Sequence, residues 1–336
     1  MLHVTRSRFN VMKATAVAHP NVAFIKYWGR KNEILRLPTN GSISMNLDGL
    51  TTTTTVEFSP DYKEDSILID EESKFDEAKR VIEHLDRIRK IAHIAFRAKV
   101  VSQNNFPSST GLSSSASGFA ALTVAGVKAL GIELSEKELS ILARQGSGSA
   151  CRSILSGFVE WKDADTSEDS YAYTLFPSDY WDIVDIVAVV STEKKEVPTS
   201  EGQKLAQTSP FFTVRSSHIK EKIQKAKKYI EEKRFEEFGE LVEEEAIEMH
   251  AVMMTSHPSL LYLSQGTLEM MKLVTKWRKE GLPLYFTINT GQDIHLLCER
   301  KNVDSIVAKV KEVSQVKKIF VSHPGEGAKL IEKHLF

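Results

Sequence analysis

Residues 107–121 read Pro-Ser-Ser-Thr-Gly-Leu-Ser-Ser-Ser-Ala-Ser-Gly-Phe-Ala-Ala: a break in the chain, a run of small hydroxyl residues, then an Ala-rich apolar pattern. The order predicts a loop opening into a helix, with Ser113, Ser114 and Ser115 around the first turn. The first N–H groups of a helix lack intrahelical partners and sit at the positive end of its dipole. Small side chains let a phosphate approach them, and hydroxyls add donors. No Gly-Lys-Ser/Thr follows at the Walker A spacing. The same residues also suit a plain N-capped helix after a Ser-rich turn.

Three further segments carry chemistry-bearing types. In Ala18–Arg30, Lys26, Tyr27 and Arg30 sit where a strand-like run leaves its sheet for a turn at Gly29. Two cations and a phenol suit an anionic small molecule, although a solvated strand end with an aromatic anchor would look similar. Gly146-Ser147-Gly148-Ser149-Ala150-Cys151-Arg152-Ser153 again resembles a loop entering a helix, with an arginine able to meet a carboxylate or phosphate through two parallel hydrogen bonds. Phe286–Asp293 ends a strand at a Gly-containing turn that presents Asn289 and Asp293, a usual place for catalytic side chains.

The elements that must position these groups follow from periodicity. Residues 14–25, 51–58, 95–103, 157–161 and 183–191 read as strands. The apolar run near Ile183 to Val190, interrupted by Asp185, reads as a buried strand and is far too short to span a bilayer. Val81, Ile82, Leu85, Ile88 and Ile91 mark one stripe of a helix over 76–91. The helix after the Ser-rich loop should stop at Gly131, and Ser135-Glu136-Lys137-Glu138 is a capping box opening another. Beyond residue 190 come charged helices at 216–233, 235–252 and 265–280, strands at 283–289 and 293–298, a helix at 303–313, a strand at 317–321 and a last helix from Ala328. Strands then helices in each half predict an α+β protein of two lobes, residues 1–190 and 191–336.

Composition bounds the partners. Lys+Arg 44 against Asp+Glu 45 leaves a formal charge of −1, so no global field recruits nucleic acid or acidic lipid. Two cysteines, Cys151 and Cys298, argue against a disulfide scaffold and suit a reducing compartment. The N-terminus lacks the apolar stretch of a signal peptide. A cytoplasmic protein bound to neither membrane nor nucleic acid is expected.

Taken together these segments resemble the mevalonate diphosphate decarboxylases and their phosphomevalonate decarboxylase relatives, within the GHMP small-molecule kinase superfamily. The resemblance runs through Ile25-Lys26-Tyr27-Trp28-Gly29, Pro38–Ser44, Gly111–Leu122, Gly146–Ser153, Gly157–Trp161 and Met249-His250-Ala251. It implies a GHMP kinase fold, with a left-handed βαβ crossover in the N-terminal lobe, a ferredoxin-like C-terminal lobe and the active site in the cleft between them. It also implies a homodimer and an ATP- and Mg²⁺-dependent reaction. The tertiary 3-hydroxyl of a phosphorylated mevalonate takes the γ-phosphoryl group, and the new phosphate leaves as CO₂ departs.

Carried over residue by residue, Pro107, Ser109, Gly111, Leu112, Ser113, Ser114, Ser115 and Ser117 would hold the ATP phosphates, with Ser114 or Ser115 near Mg²⁺. Lys26 would stabilise charge at the reacting oxygen. Tyr27, Arg30, Ser147, Ser149 and Arg152 would bind substrate, Arg152 pairing with its carboxylate. Thr199 and Ser200 occupy the family's Ser/Thr loop, without its usual Met after Gly202.

Two segments depart from the family pattern. An Asp followed by Ala-Gly-Pro-Asn normally meets the reacting hydroxyl, whereas here the run is Asn289-Thr290-Gly291-Gln292-Asp293. Asn can orient a hydroxyl but cannot take its proton or balance Lys26. Either Asp293 reaches the hydroxyl across the turn, or transfer proceeds without a carboxylate base, or activity is impaired. Arg30 also stands where Lys is common, leaving one or two phosphates on the substrate open. A kinase that stops after phosphorylation, and a non-catalytic ligand-binding relative, are the competing functions.

Overall fold

β-branched and alternating segments open the chain as strands β1 (Lys13–Ala18), β2 (Asn21–Ile25), β3 (Arg30–Asn32), β4 (Leu37–Pro38), β5 (Ser42–Asn46), β6 (Thr52–Ser59) and β7 (Ser66–Ile69). The computed structural model describes residues 12–72, 75–107, 112–191, 193 and 196–336. Helix α1 (Phe75–Ala92), β8 (Arg97–Asn104), α2 (Ser114–Ala129), α3 (Glu136–Gly146), α4 (Ala150–Ser153), β9 (Phe158–Trp161) and β10 (Ala172–Phe176) complete the first lobe. The second is built from β11 (Ile183–Val189), α5 (Thr199–Leu205), α6 (Phe212–Glu231), α7 (Phe235–Met254), α8 (Gln265–Lys279), β12 (Tyr285–Thr287), β13 (Ile294–Glu299), α9 (Val303–Lys311) and β14 (Lys318–Ser322). Strand β15 (Lys329–Ile331) closes the series.

The first lobe carries a five-stranded sheet ordered β15-β1-β6-β8-β7 and a four-stranded sheet ordered β10-β9-β5-β2. Helix α2 is apolar nearly all round and buries Phe119, Ala120, Leu122 and Ala125 in a core with β1 and β6, as expected of a helix with no solvent face. It ends at Leu130, and Gly131 takes the left-handed φ of 65° that stops it. The capping box at α3 forms as its spacing predicts, with Ser135 and Glu138 each accepting the other's backbone N–H.

The second lobe is a four-stranded sheet ordered β12-β13-β11-β14, covered by α8 and α9 on one face and by α6 and α7 on the other. Strand β11, which precedes residue 190, pairs with β13 and β14, while β15 returns to pair with β1. Phe24, Ile43 and Phe158 of the first lobe share one buried cluster with Val187, Phe238 and Leu297 of the second. That common core holds the two walls of the cleft in register.

The last helix expected from Ala328 does not form. Lys329–Ile331 instead pairs antiparallel with β1, Thr15 opposite Ile331, and His334 Nδ1 lies 2.7 Å from Thr15 Oγ1. Covering the open edge of β1 satisfies its backbone groups, a non-local gain that local periodicity does not register.

Candidate active site

The end of β2 points Lys26 and Tyr27 into a cavity of about 770 Å³ between the lobes. The strand can stop there because the Lys26 backbone is tied on both sides: its N–H donates to Glu245 Oε1 at 3.0 Å, and its carbonyl accepts from Asn40 Nδ2 and Arg215 Nη2, each at 2.9 Å. The turn that follows needs Gly29, whose φ is 99° and where a Cβ would lie 2.8 Å from Thr39 Oγ1. Gly148 is equally constrained, since a Cβ there would come within 2.7 Å of the Tyr27 ring.

Lys26 is 2% exposed, and its Nζ donates to Asn289 Oδ1 across the cleft at 3.1 Å. Burial lowers its pKa to about 7, opposed by Glu245 and Asp185 and reinforced by Arg152 and Arg215. Tyr27 OH accepts from Arg30 Nε at 2.8 Å, and burial pushes the phenol up.

Arg152 is 3% exposed and fixed by Ser44 Oγ at 2.9 Å, Ser42 Oγ at 2.6 Å and Asn21 Oδ1 at 3.0 Å. Among the described residues these neutral acceptors leave its charge uncompensated and its remaining N–H groups available to a ligand on the same cavity wall. Arg36 and Arg80 join Arg30 on the rim. Burial, then the charges of Arg30 and Arg80, lower the Arg36 pKa to about 10; burial and Arg30 lower that of Arg80. Neither stands out in the sequence. Arg80 lies on the polar side of an amphipathic helix, which reads as a solvated face.

Helix α2 begins at the cavity. Its N-cap, Ser113, takes a left-handed φ of 57° and makes no side-chain cap bond, so the expected plain capped helix is not what forms. Ser113 Oγ instead accepts from Asn289 Nδ2 at 3.3 Å and the Ser113 carbonyl accepts from the Ala116 N–H at 2.8 Å, so that among the described residues the Ser114 and Ser115 N–H groups are left to an incoming anion. Ser113, Ser114, Ser115, Ser147 and Ser149 line the cavity, with 3.2 Å between the hydroxyls of Ser115 and Ser147. Thr199 and Ser200 line it from α5, and Thr199 Oγ1 lies 2.9 Å from Thr290 Oγ1.

Four expected residues lie elsewhere. Leu112 is in the apolar core shared by the lobes, and Pro107 is off the cavity wall. Ser117 is fully buried, its hydroxyl 2.6 Å from Thr52 Oγ1 and donating to the Ser114 carbonyl, because one turn into α2 the side chain faces the sheet. Asp293 does not face Lys26: its Oδ1 accepts from the Val190 N–H at 3.1 Å, tying the turn before β13 to the end of β11. Asn289 is the residue of this turn that meets Lys26, and its backbone carbonyl accepts from His250 Nε2 at 3.0 Å. Burial lowers the His250 pKa to about 4, so the ring is neutral. Ser109 and Gly111 lie outside the described residues.

Among the described residues no three His, Cys, Asp or Glu side chains gather as a metal site. The Ser114 and Ser115 hydroxyls beside an anion-receptive helix end are hard oxygen donors. They fit a Mg²⁺ that arrives already chelated by nucleotide phosphates. Among the same residues no helix is long and apolar enough to cross a membrane.

Comparison with known proteins identifies the family. Residues 18–172 match the diphosphomevalonate decarboxylase-like N-terminal domain, and 185–331 the mevalonate 5-diphosphate decarboxylase C-terminal domain. The diphosphomevalonate decarboxylase of Candida albicans is 33% identical over 313 residues, covering 88% of this chain and 86% of the relative. The phosphomevalonate decarboxylase of Haloferax volcanii is 33% identical over 303 residues, covering 90% and 93%. A solved complex of MDDEF with MVAPP, AMPPCP and magnesium superposes with a TM-score of 0.91 at 36% identity, covering 96% of this chain and all of that one. With both halves matched in order and relatives spanning nearly its full length, the chain belongs to the diphosphomevalonate decarboxylase family.

Proposed function

We propose that the protein is an ATP-dependent decarboxylase of 5-diphosphomevalonate, acting in isoprenoid precursor synthesis by the mevalonate route and yielding an isopentenyl diphosphate, ADP, phosphate and CO₂. The observation that carries this reading is one cavity in which a helix N-terminus, the Lys26–Asn289 contact and the uncompensated Arg152 meet. Each matches one part of the chemistry.

Arg152, with Ser147 and Ser149, binds the substrate carboxylate; Tyr27, Arg30, Arg36 and Arg80 bind the 5-phosphates. The charge of three mutually repelling arginines exceeds the roughly −1.5 to −2 of a phosphate monoester, which favours the more highly charged diphosphate. Ser113, Ser114 and Ser115 receive the ATP phosphates, with Ser114 and Ser115 beside Mg²⁺, which when bound neutralises phosphate charge. Thr199 and Ser200 close on the ligands from the second lobe.

Lys26 stabilises the oxygen that is first phosphorylated and then expelled. Asn289 orients the 3-hydroxyl through its carbonyl, and a loose phosphoryl-transfer transition state makes a carboxylate base dispensable there. The new 3-phosphate then departs with the electrons of its C–O bond. Those of the carboxylate C–C bond become the double bond, and CO₂ is released. Arg152 holds the carboxylate in line for that cleavage.

We also propose a cytosolic homodimer. Support for the compartment is that both cysteines are buried free thiols. Support for self-association is the exposure of Phe211, Val214, Ile247 and Met254 on α6, its approach and α7.

The test is to incubate the protein with ATP, Mg²⁺ and each of mevalonate, its 5-phosphate and its 5-diphosphate, and to identify the products. ADP and CO₂ in equal amounts, with kcat/KM highest for the diphosphate, support the reading. ADP without CO₂ would make the protein a kinase.

A further inference from the structure

A carboxylate is missing from the cavity wall where the family resemblance expects one, but another lies directly behind it. Strand β11 is a central strand flanked by β13 and β14, and within its otherwise apolar run Ile-Val-Asp-Ile-Val-Ala-Val sits Asp185, fully buried. An ionised carboxylate there is costly unless paired. In the β11–β13 register His295 stands opposite Val187, two residues along the same face from Asp185, which makes the two diagonal neighbours. His295 Nδ1 lies 2.7 Å from Asp185 Oδ2, and the histidine is 1% exposed. Asp185 Oδ1 accepts no hydrogen bond among the described residues. Breaking an apolar strand with a half-satisfied carboxylate is a poor stability device.

The pair points at the reaction centre. His295 Nε2 lies 3.4 Å from Asn289 Nδ2, and Asn289 Oδ1 accepts from Lys26 Nζ. One proton arrangement satisfies the whole chain. The Lys26 ammonium only donates, so the Asn289 carbonyl must face it and the amide NH₂ must face His295. His295 Nε2 then accepts, and its Nδ1–H donates to Asp185. We propose that Asp185 and His295 are positioning residues for phosphoryl transfer: the pair fixes the Asn289 amide with its carbonyl toward Lys26 and supplies, from inside the sheet, the negative charge that a carboxylate at position 289 would supply directly.

Other charged groups face Lys26. Glu245 on α7 is held by Arg215 on α6 and by the Lys26 backbone N–H, so its charge is already answered; Arg152 on α4 adds positive charge. Asp185 has only the His295 ring between it and the Asn289 amide.

The proposal rests on the decarboxylase reading, and its test separates the two. Asp185→Asn, Asn289→Asp and the double variant are compared with wild type, as full-length proteins, at saturating ATP, Mg²⁺ and 5-diphosphomevalonate. Asp185→Asn should lower kcat about 10²-fold with KM within about threefold, and adding Asn289→Asp should restore kcat to within about tenfold of wild type. A structural role would give no such rescue, so a double variant as slow as Asp185→Asn, or a wild-type kcat in Asp185→Asn, overturns the proposal. Should Asp185→Asn not fold, His295→Gln with the same rescue gives the same two outcomes. If wild type releases no ADP, the decarboxylase reading fails on its own. Lys26 is then followed by the pH dependence of its acetylation by acetic anhydride, read by mass spectrometry. Its apparent pKa should fall in Asp185→Asn by about one unit and recover in the double variant; an unchanged value overturns the proposal.

Discussion

The two walls of the cleft carry charge in opposite ways. On the first lobe, Lys26, Arg30, Arg36, Arg80 and Arg152 all reach the cavity itself, and the partners of Arg152 are neutral hydroxyl and amide oxygens. On the second lobe, Asn289, Thr199 and Thr290 face them without charge, Glu201 lines the cavity from the same side, and Asp185 stands one layer behind the Asn289 amide, beyond His295. Cations on the wall of an anion site can meet a ligand directly. A compensating anion serves as well from behind, where it does not repel phosphate.

The largest expected effect comes from removing the cation at the meeting point. Lys26→Met should lower kcat about 10³-fold, at the upper end for loss of one stabiliser of developing charge. It should also raise Tm near neutral pH. Because burial lowers the Lys26 pKa to about 7, the unfolded chain binds more protons between about pH 7 and 10.5, so wild-type stability gains from this group as pH rises through that window. The Met variant should lack that gain, as pH-dependent thermal melts would show.

Arg152→Ala tests the other fixed cation on the same wall. With its hydroxyl cradle left empty, kcat/KM for phosphorylated mevalonate should fall about 10²-fold, within the roughly 2–5 kcal/mol of a buried charge partner. ATP affinity should change little; an equal loss would assign the segment to the nucleotide or to the fold.

The pH profile sharpens the contrast. In free enzyme kcat/KM should fall as pH rises through about 7, where Lys26 loses its proton. Asn289→Asp, which adds an anion on the wall to the one behind it, should carry that limb to higher pH. An unmoved limb would mean that Lys26 is not the titrating group.

Ser114→Ala and Ser115→Ala should have the smallest effects, a few-fold in Mg-ATP use at about 0.5–1.5 kcal/mol per hydrogen bond, because backbone N–H groups supply most of the cradle. Unchanged ATP kinetics in both variants would leave that segment a helix start without a nucleotide role.

What the sequence made legible follows the same division. The capping box at Ser135, the stripe of α1 and the Ser-rich entry to α2 are local patterns, and each forms as its spacing predicts. The cation motifs around Lys26 and Arg152 are short and contiguous, and they converge on one cavity. Asp185 and His295 are separated by the whole helical half of the second lobe and meet only through strand pairing, so the Asp read as a mere interruption of an apolar run. Asp293, adjacent to a Gly turn, suggested a relocated carboxylate because nothing local reveals that the Val190 amide needs a partner. Ala328 onward read as a helix for want of its partner β1 at the other end of the chain.

In the proposed reaction the 3-hydroxyl oxygen is phosphorylated opposite Lys26 and then leaves as phosphate while Arg152 holds the departing carboxylate. Turnover of 5-diphosphomevalonate carrying oxygen-18 in its 3-hydroxyl tests this directly, by mass spectrometry of the inorganic phosphate released with CO₂. The label should appear in that phosphate, in step with CO₂. Label found in water, or ADP formed without labelled phosphate, would contradict the account.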